Sequence, residues 1–456
     1  MSQYIAGGDA EIQIERYDQL VDYFASAGKP ASQWRIGTEY EKVAVRPDTG
    51  AAAPFTGGIE ELLRRMADRY PWTPILEDGR IVALGGPHAS ITLEPGGQLE
   101  LSGEICDSVH CAKREFAEHV EQIQTAAEGL GMVFLGLAIQ PASRPAEIEW
   151  VPKKRYGIMG PYMRRVGTLG HRMMLQTATV QVNIDYSDER DAMRKLRTGM
   201  GITSLLTAMY ANSPISDGAA NGWLSYRAHI WTKTDPDRCG LLPFVFAEMA
   251  GFSDYVDYAL DVPMYFIVRD GAWIDMTEWT FRRFWEQGRD GHRATIDDWN
   301  AHLTTLFPEF RMKRYIEVRS CDSQPPALML SLPALVKGIF YDSDCLDAAW
   351  DLVRKWPWDD RLDLYHRVPA EALRARIRGH SVRDLALELL AIGRAGLARN
   401  PRLDEQGRDE SIYLNPLQEL VERGQCPADV VLARWNGEWR GDLRRLAAAS
   451  RYDALA

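Results

Sequence analysis

The chain has 456 residues, 46% of them hydrophobic and 26% charged, with 37 glycines and 24 prolines. At about 150 residues per domain this length corresponds to three domains or one large elaborated one, and burying a core is no difficulty. An excess of Asp and Glu (64) over Lys and Arg (53) gives a formal charge of −11, which argues against a nucleic-acid or acidic-membrane partner, whose footprint would be basic.

The six cysteines (Cys106, Cys111, Cys239, Cys321, Cys345, Cys426) make no disulfide scaffold and no zinc spacing. The opening MSQYIAGGDAEIQIERYD turns polar at once, without the apolar centre of a signal peptide. No apolar run approaches the roughly 18 residues of a membrane span. A soluble, cytoplasmic protein is expected.

In chain order, apolar residues at three- and four-residue spacing predict helices over Ile59–Tyr70, Asp107–Leu130, Glu189–Tyr210, Phe246–Leu260, Ile296–Phe307 and Val382–Ala398. Alternating or β-branched stretches predict strands over Trp34–Val45, Ser90–Ser102, Thr177–Tyr186, Pro263–Val268 and Phe310–Arg319. The two kinds do not follow a βα rhythm. An α+β fold is therefore expected, an antiparallel sheet with helices packed around it. We read residues 1–456 as one large domain, with a sheet-bearing core over 33–330 and a mostly helical layer, carrying no strand signal, over 331–456.

The strands hold the informative residues. Glu39 and Glu41 of RIGTEYEKVAV lie two apart, which puts both carboxylates on one strand face and Tyr40 and Lys42 on the other. Glu94, Gln98 and Glu100 share parity in ITLEPGGQLELSGE, where the Pro95–Gly97 bend interrupts the alternation. Gln181 and Asn183 share a face in TATVQVNIDY, as do Glu317 and Arg319 in RMKRYIEVRS. Such acids either line a solvated sheet face or gather round a hard divalent cation, which offsets like-charge repulsion in a low-dielectric cavity. In YRAHIW, Arg227, His229 and Trp231 alternate with Ala228 and Ile230. An Arg in an aromatic, alternating stretch either clamps a substrate carboxylate or snorkels over Trp231; His229 reads as a hydrogen-bonded structural residue. No P-loop, kinase or dinucleotide motif occurs.

Taken in order, RIGTEYEK, ITLEPGGQLELSGE, FLGLAIQP, MMLQTATVQVNIDYS, YRAHIWTKTDPDRCGLLPFVF, YVDYALDVPMYF, HLTTLFPEFRMKRYIEVRS and RWNGEW closely resemble the plant and proteobacterial type of glutamate–cysteine ligase, over most of the chain. The resemblance implies a glutamine-synthetase-like fold, a curved antiparallel sheet forming a funnel with helices outside. It also implies a reaction in which ATP phosphorylates the γ-carboxylate of L-glutamate and the amine of L-cysteine displaces the phosphate, the first step of glutathione synthesis.

By the same resemblance Glu39, Glu41, Glu94, Glu100 and Glu317 are expected to hold two or three Mg²⁺ ions, with Gln181 as a neutral oxygen ligand. Arg319 is expected at the transferring phosphoryl group, Arg227 at the glutamate α-carboxylate, and Lys42 and Arg155 at the nucleotide or substrate. A monomer or weak homodimer without membrane partners is expected. A ligase of the same fold using another amine, and a non-catalytic metabolite- or metal-binding relic, are the competing readings; an acceptor screen separates the first, and retention of Glu39, Glu41, Glu100, Glu317 and Arg319 together opposes the second.

The chain also departs from the plant pattern. The plant segment KGRYDIM reads KKRYGIM here, so Gly157 stands where an acid would. The plant regulatory cysteine pairs would fall at Met276 and near Gly291, and near Lys113 and Leu330, none of them cysteine. No plant-type redox switch and no transit peptide are expected.

Overall fold

The computed structural model describes residues 12–452; residues 1–11, on which the reading of the opening segment largely rests, lie outside the described residues. A nine-stranded sheet organises the chain. Its strands are β1 (Ile36–Val45), β2 (Thr73–Glu77), β3 (Arg80–Gly85), β4 (Ser90–Leu93), β5 (Leu99–Ser102), β6 (Val133–Leu135), β7 (Val180–Ile184), β8 (Phe310–Met312) and β9 (Ile316–Val318). The order is β8-β9-β7-β1-β5-β4-β3-β2, with β6 added to the end of β1, and every pairing is antiparallel. The expected α+β class and antiparallel sheet are what the chain adopts.

β1 is central because it is long enough to be shared. Residues 36–40 pair with β7, 39–42 with β5, and 43–45 with β6. One face of the sheet is apolar and rests on the helix Val109–Ala127, where Tyr40 meets Phe116 with ring centroids 4.6 Å apart. Ser108 starts that helix by accepting from the Cys111 N–H at 3.2 Å.

The predicted strand over Ser90–Ser102 is two strands joined by the Pro95-Gly96-Gly97 turn. A Cβ on Gly96 would lie 2.2 Å from the Leu175 carbonyl oxygen, and Gly97 holds φ +82°. Only glycine lets the turn press against the helix Gly170–Gln176 in this way. The predicted strand over Pro263–Val268 lies outside the main sheet, in a separate hairpin of Phe266–Arg269 with Ala272–Asp275. Its Asp270-Gly271 turn closes on itself at positive φ in both residues. The same Asp-Gly signal, at Asp78-Gly79, joins β2 to β3, a hairpin absent from the expectations.

The helix Glu189–Tyr210 runs as its pattern predicts, capped by Asp188 accepting from the Asp191 N–H at 2.8 Å. Phe246–Leu260 is helical only as Phe252–Asp261. Beyond residue 330 helices dominate, but one short hairpin, Arg376–Ile377 with His380–Ser381, corrects the expectation of a strand-free region. It turns on Arg378-Gly379, both at positive φ. Helices Ser331–Phe340 and Val382–Arg399 touch backbone to backbone, since a Cβ on Gly338 would lie 2.0 Å from the Gly393 carbonyl oxygen. Among the described residues no helix is long and apolar enough to cross a membrane.

One pair of the cysteines is bridged. Cys106 and Cys111 are disulfide-bonded with Cα atoms 5.7 Å apart. Cys106 is not helical; its backbone bridges to Ile36 at the start of β1, which turns it toward the first helical turn that carries Cys111. The other four thiols are free. A bridge five residues apart closes a short loop and constrains little chain. Non-reducing peptide maps should show Cys106–Cys111 alone, and initial rates with and without dithiothreitol should agree within about twofold.

Candidate active site

The sheet's second face carries the acids, and the register shows why strand parity found them. Glu41 stands opposite Glu100, Glu39 opposite Gln181, and Asn183 opposite Glu317. Directly opposed residues of an antiparallel pair point to one face, so four strands contribute to one polar row. Glu94 joins it from the turn after β4. Glu41, Glu94 and Glu100 present oxygens all within 4.8 Å of one another, and all three side chains are buried.

Hydrogen bonds fix the row. Ser102 and Thr92 hydroxyls donate to the two Glu100 oxygens at 2.7 and 3.0 Å. The Thr179 N–H donates to Glu41 Oε2 at 2.9 Å, and Asn183 Nδ2 to Glu39 Oε1 at 2.9 Å. Glu39 Oε2 is buried without a partner. Burial, together with the charges of Glu317 and Glu100, pushes the Glu39 carboxyl up from its ordinary value. Burial and the neighbouring Glu94 push Glu41 up to about 8. Buried acids this close lose free energy on ionising unless a cation sits among them.

The other end of the row is arranged differently. Arg311 grips Glu317 in a fork, Nε on Oε2 and Nη2 on Oε1, the latter at 2.9 Å, and Arg319 Nη1 approaches Oε1 at 3.3 Å. Burial would raise the Glu317 carboxyl, but Arg311, Lys313 and Arg319 hold it well below the usual carboxylate range. Arg319 Nη1 also donates to Gln181 Oε1 at 2.6 Å. Glu317 and Gln181 therefore stand on the shared face as expected, with their oxygens engaged by arginines.

Arg227 reaches the same place from a helix, Tyr226–Trp231, and not from a strand; Ser225 caps it by accepting from the Ala228 N–H at 3.1 Å. Five alternating residues are too few to exclude a helical turn. Arg227 Nη2 donates to the Arg319 carbonyl at 2.9 Å. Both guanidinium groups lie over Trp231, at 5.8 and 5.7 Å, and share a small cavity with Phe307 and Glu309. The Tyr365 hydroxyl, from the C-terminal helices, donates to Glu309 Oε1 at 2.6 Å. His229 is structural as expected: its ring stacks on Trp223 with centroids 3.8 Å apart, and its carbonyl accepts from the Thr232 hydroxyl at 2.7 Å.

Lys42 is the expectation the structure overturns. It lies on the face opposite Glu41, fully buried, with Nζ donating to the Tyr40 carbonyl at 2.7 Å and 5.8 Å above the Phe116 ring. Burial pushes its pKa down to about 7. A group sealed beneath the sheet cannot meet a nucleotide in the funnel. Arg155 is near the acids: its Nη2 donates to the Tyr156 hydroxyl at 3.2 Å, and the charge of Glu94 helps to raise its pKa against burial. Gln98 shares the strand parity but turns away, its Nε2 donating to the Met174 and Thr177 carbonyls at 3.3 and 2.8 Å.

Three residues were not among the expectations. Arg311 had a signal, because hairpin pairing sets it opposite Glu317. Lys153, buried with Nζ donating to the Leu93 carbonyl at 2.8 Å, sits two residues before Arg155 and had no periodic signal. Asp322 had none either.

The Glu41 shift sets a pH dependence. The fold holds a proton there between about 4.5, where the unfolded chain loses it, and about 8. The contribution is full below the lower value and is lost as pH rises through the upper one. Metal-free protein should therefore lose melting temperature between pH 5 and pH 8. Calorimetry should show a smaller loss for Glu41→Gln.

A buried acidic row flanked by arginines thus lies on one face of an antiparallel sheet with helices packed around it. The fold matches that of a glutamate–cysteine ligase from Francisella tularensis, solved in complex with AMP, with a TM-score of 0.55 over 93% of this chain and 90% of that one at 12% identity. The family model for glutamate-cysteine ligase family 2 (GCS2) matches residues 35–449. The chloroplastic glutamate–cysteine ligases of Brassica juncea and Arabidopsis thaliana are each 43% identical over 92% of this chain, covering 81% and 80% of their own lengths. This chain belongs to the glutamate–cysteine ligase family 2; it is a ligase, and its reaction is glutamate–cysteine ligation for glutathione synthesis. These relatives are named as chloroplastic proteins, which overturns the expectation of a cytoplasmic location.

Proposed function

We propose that the ligation consumes ATP and proceeds through a γ-glutamyl phosphate, with Mg²⁺ held at the acidic end of the sheet face and the arginines working at the other. The observation that carries this reading is the nest of Glu41, Glu94 and Glu100 oxygens within 4.8 Å, beside the unpartnered Glu39 Oε2. Such an all-oxygen, dry donor set suits a hard divalent cation, which would neutralise phosphate charge and polarise the phosphoryl oxygens. Glu317 and Gln181 act in this reading by orienting Arg319.

A carboxylate becomes an electrophile only when one oxygen is turned into a leaving group, and phosphoryl transfer needs mainly positioning and charge neutralisation. Arg319, anchored on both Gln181 and Glu317, stabilises the charge spread over the phosphoryl oxygens. Arg227 binds the α-carboxylate of glutamate, and Arg155, at the Glu94 end, meets the nucleotide phosphates. Burial of the site excludes the water that would hydrolyse an acyl phosphate.

ADP release should require L-glutamate, ATP, Mg²⁺ and an amine. L-Cysteine should give the highest kcat/KM of an amine panel, with L-2-aminobutyrate within about 200-fold, since a pocket discriminates such small changes by only about 1–3 kcal/mol. Another amine outpacing cysteine by orders of magnitude would move the acceptor assignment.

A further inference from the structure

We infer that Asp322 is a positioning residue for glutamate binding, acting through Arg227; this rests on the assignment of Arg227 to the glutamate α-carboxylate. Asp322 follows β9 by four residues and is 1% exposed. It gathers the groups that set the start of the Arg227 helix. Oδ1 accepts from the Ser225 hydroxyl at 2.8 Å, and that same oxygen of Ser225 caps the helix by accepting from the Ala228 N–H. Oδ2 accepts from the Ser213 hydroxyl at 2.7 Å and from the Asn212 N–H at 2.8 Å. The Ser213 oxygen in turn accepts from the Arg227 N–H at 3.0 Å. Two relays thus run from one carboxylate to the backbone that carries Arg227.

The side chain is held as well. Arg227 is 3% exposed, and its Nη1 lies 3.9 Å from Asp322 Oδ1 while Nη2 donates to the Arg319 carbonyl. At 3.9 Å the contact is an ion pair without a hydrogen bond, so Asp322 offsets the buried charge while leaving donor capacity on the guanidinium for a second carboxylate. A neutral residue there would leave Arg227 buried without its counter-charge, and an unpaired buried cation shifts position or recruits water. Asp322 lies three residues after Arg319, and its backbone bridges to Thr179 just before β7, so it also ties the helix of the α-carboxylate arginine to the segment that carries the arginine for the phosphoryl group.

The test is a double-mutant cycle on steady-state kinetics, with glutamate varied at saturating ATP and cysteine. Asp322→Asn should raise the glutamate KM at least tenfold with kcat within about threefold and the ATP KM unchanged. Added to Arg227→Ala it should have little further effect, because the two act through one contact. Unchanged glutamate KM in Asp322→Asn, beside a raised KM in Arg227→Ala, would overturn the inference and leave the Arg227 assignment standing. Unchanged KM in Arg227→Ala would instead remove the assignment itself. Should Asp322→Asn not fold, Ser225→Ala carries the test: it removes one relay and keeps the charge, and should raise glutamate KM two- to fivefold. An unchanged KM there would equally overturn the inference.

Discussion

Glu41→Gln and Glu100→Gln are each expected to lower kcat by about a thousandfold, which corresponds to about 4 kcal/mol of lost transition-state stabilisation. Both carboxylates face the same small volume across one strand pair, and an amide in place of either removes a negative oxygen from the donor set without changing its shape. The fold should tolerate Glu41→Gln: it removes a carboxyl that burial and Glu94 push up, so the metal-free melting temperature should hold or rise. Glu317→Gln should behave differently. Its carboxylate is gripped by Arg311 and approached by Arg319 in a fully buried position, so neutralising it leaves buried cations uncompensated, a change that costs about 3–5 kcal/mol. Activity and melting temperature should fall together there, whereas in Glu41→Gln activity should fall alone. ADP-release rates set beside thermal melts separate the two classes. Wild-type turnover in either Glu41→Gln or Glu100→Gln would remove the cation assignment.

The acidic face was legible because side-chain direction in a strand has period two and needs no knowledge of partners. Glu39 with Glu41, Gln181 with Asn183, and Glu317 with Arg319 declare their faces locally. What parity cannot supply is register: that Glu41 meets Glu100 and Asn183 meets Glu317 is set by pairings between residues 59 and 134 positions apart along the chain. Parity also set Lys42 apart from Glu41, and the fold follows parity, with Lys42 beneath the sheet against Phe116. Its expected role came from the resemblance alone. Arg227 was found by its aromatic, alternating context without its helix, because a short alternation is compatible with a helical turn and Ser225 at its N-cap is a weak signal by itself.

Asp322 shows the limit most clearly. Its partners Asn212, Ser213 and Ser225 lie about 100 residues earlier, and a single acid after EVRSC has no spacing that points to them. The Cys106–Cys111 bridge was hidden for a related reason. Two cysteines five apart would diverge on a continuous helix, but Cys106 is drawn out of helical geometry by its backbone bridge to Ile36.

Arg319→Ala should lower kcat by about 10²–10³-fold with glutamate KM changed less than about threefold, whereas Arg227→Ala should raise glutamate KM at least tenfold with a smaller effect on kcat. The difference follows from where each charge is spent. Arg319 is locked on the Gln181 and Glu317 oxygens and carried over Trp231 and Phe307, 5.7 and 5.6 Å from the ring centroids. A guanidinium fixed in that way does not reorganise as charge develops, and interactions that strengthen only in the transition state appear in kcat. Arg227 faces a carboxylate that carries the same charge before, during and after phosphoryl transfer, so its contribution is uniform binding and appears in KM. Arg319→Lys sharpens the comparison. An ammonium keeps the charge but gathers it on one nitrogen, whereas the guanidinium meets Gln181 and Glu317 through Nη1 and spreads its charge over two further nitrogens in a fixed plane, so most of the kcat loss should remain. Glutamate KM should stay near the wild-type value in both Arg319 variants. A raised KM with intact kcat in Arg319→Ala, together with the converse in Arg227→Ala, would exchange the two roles and place the phosphoryl group over the helix start instead of the strand end.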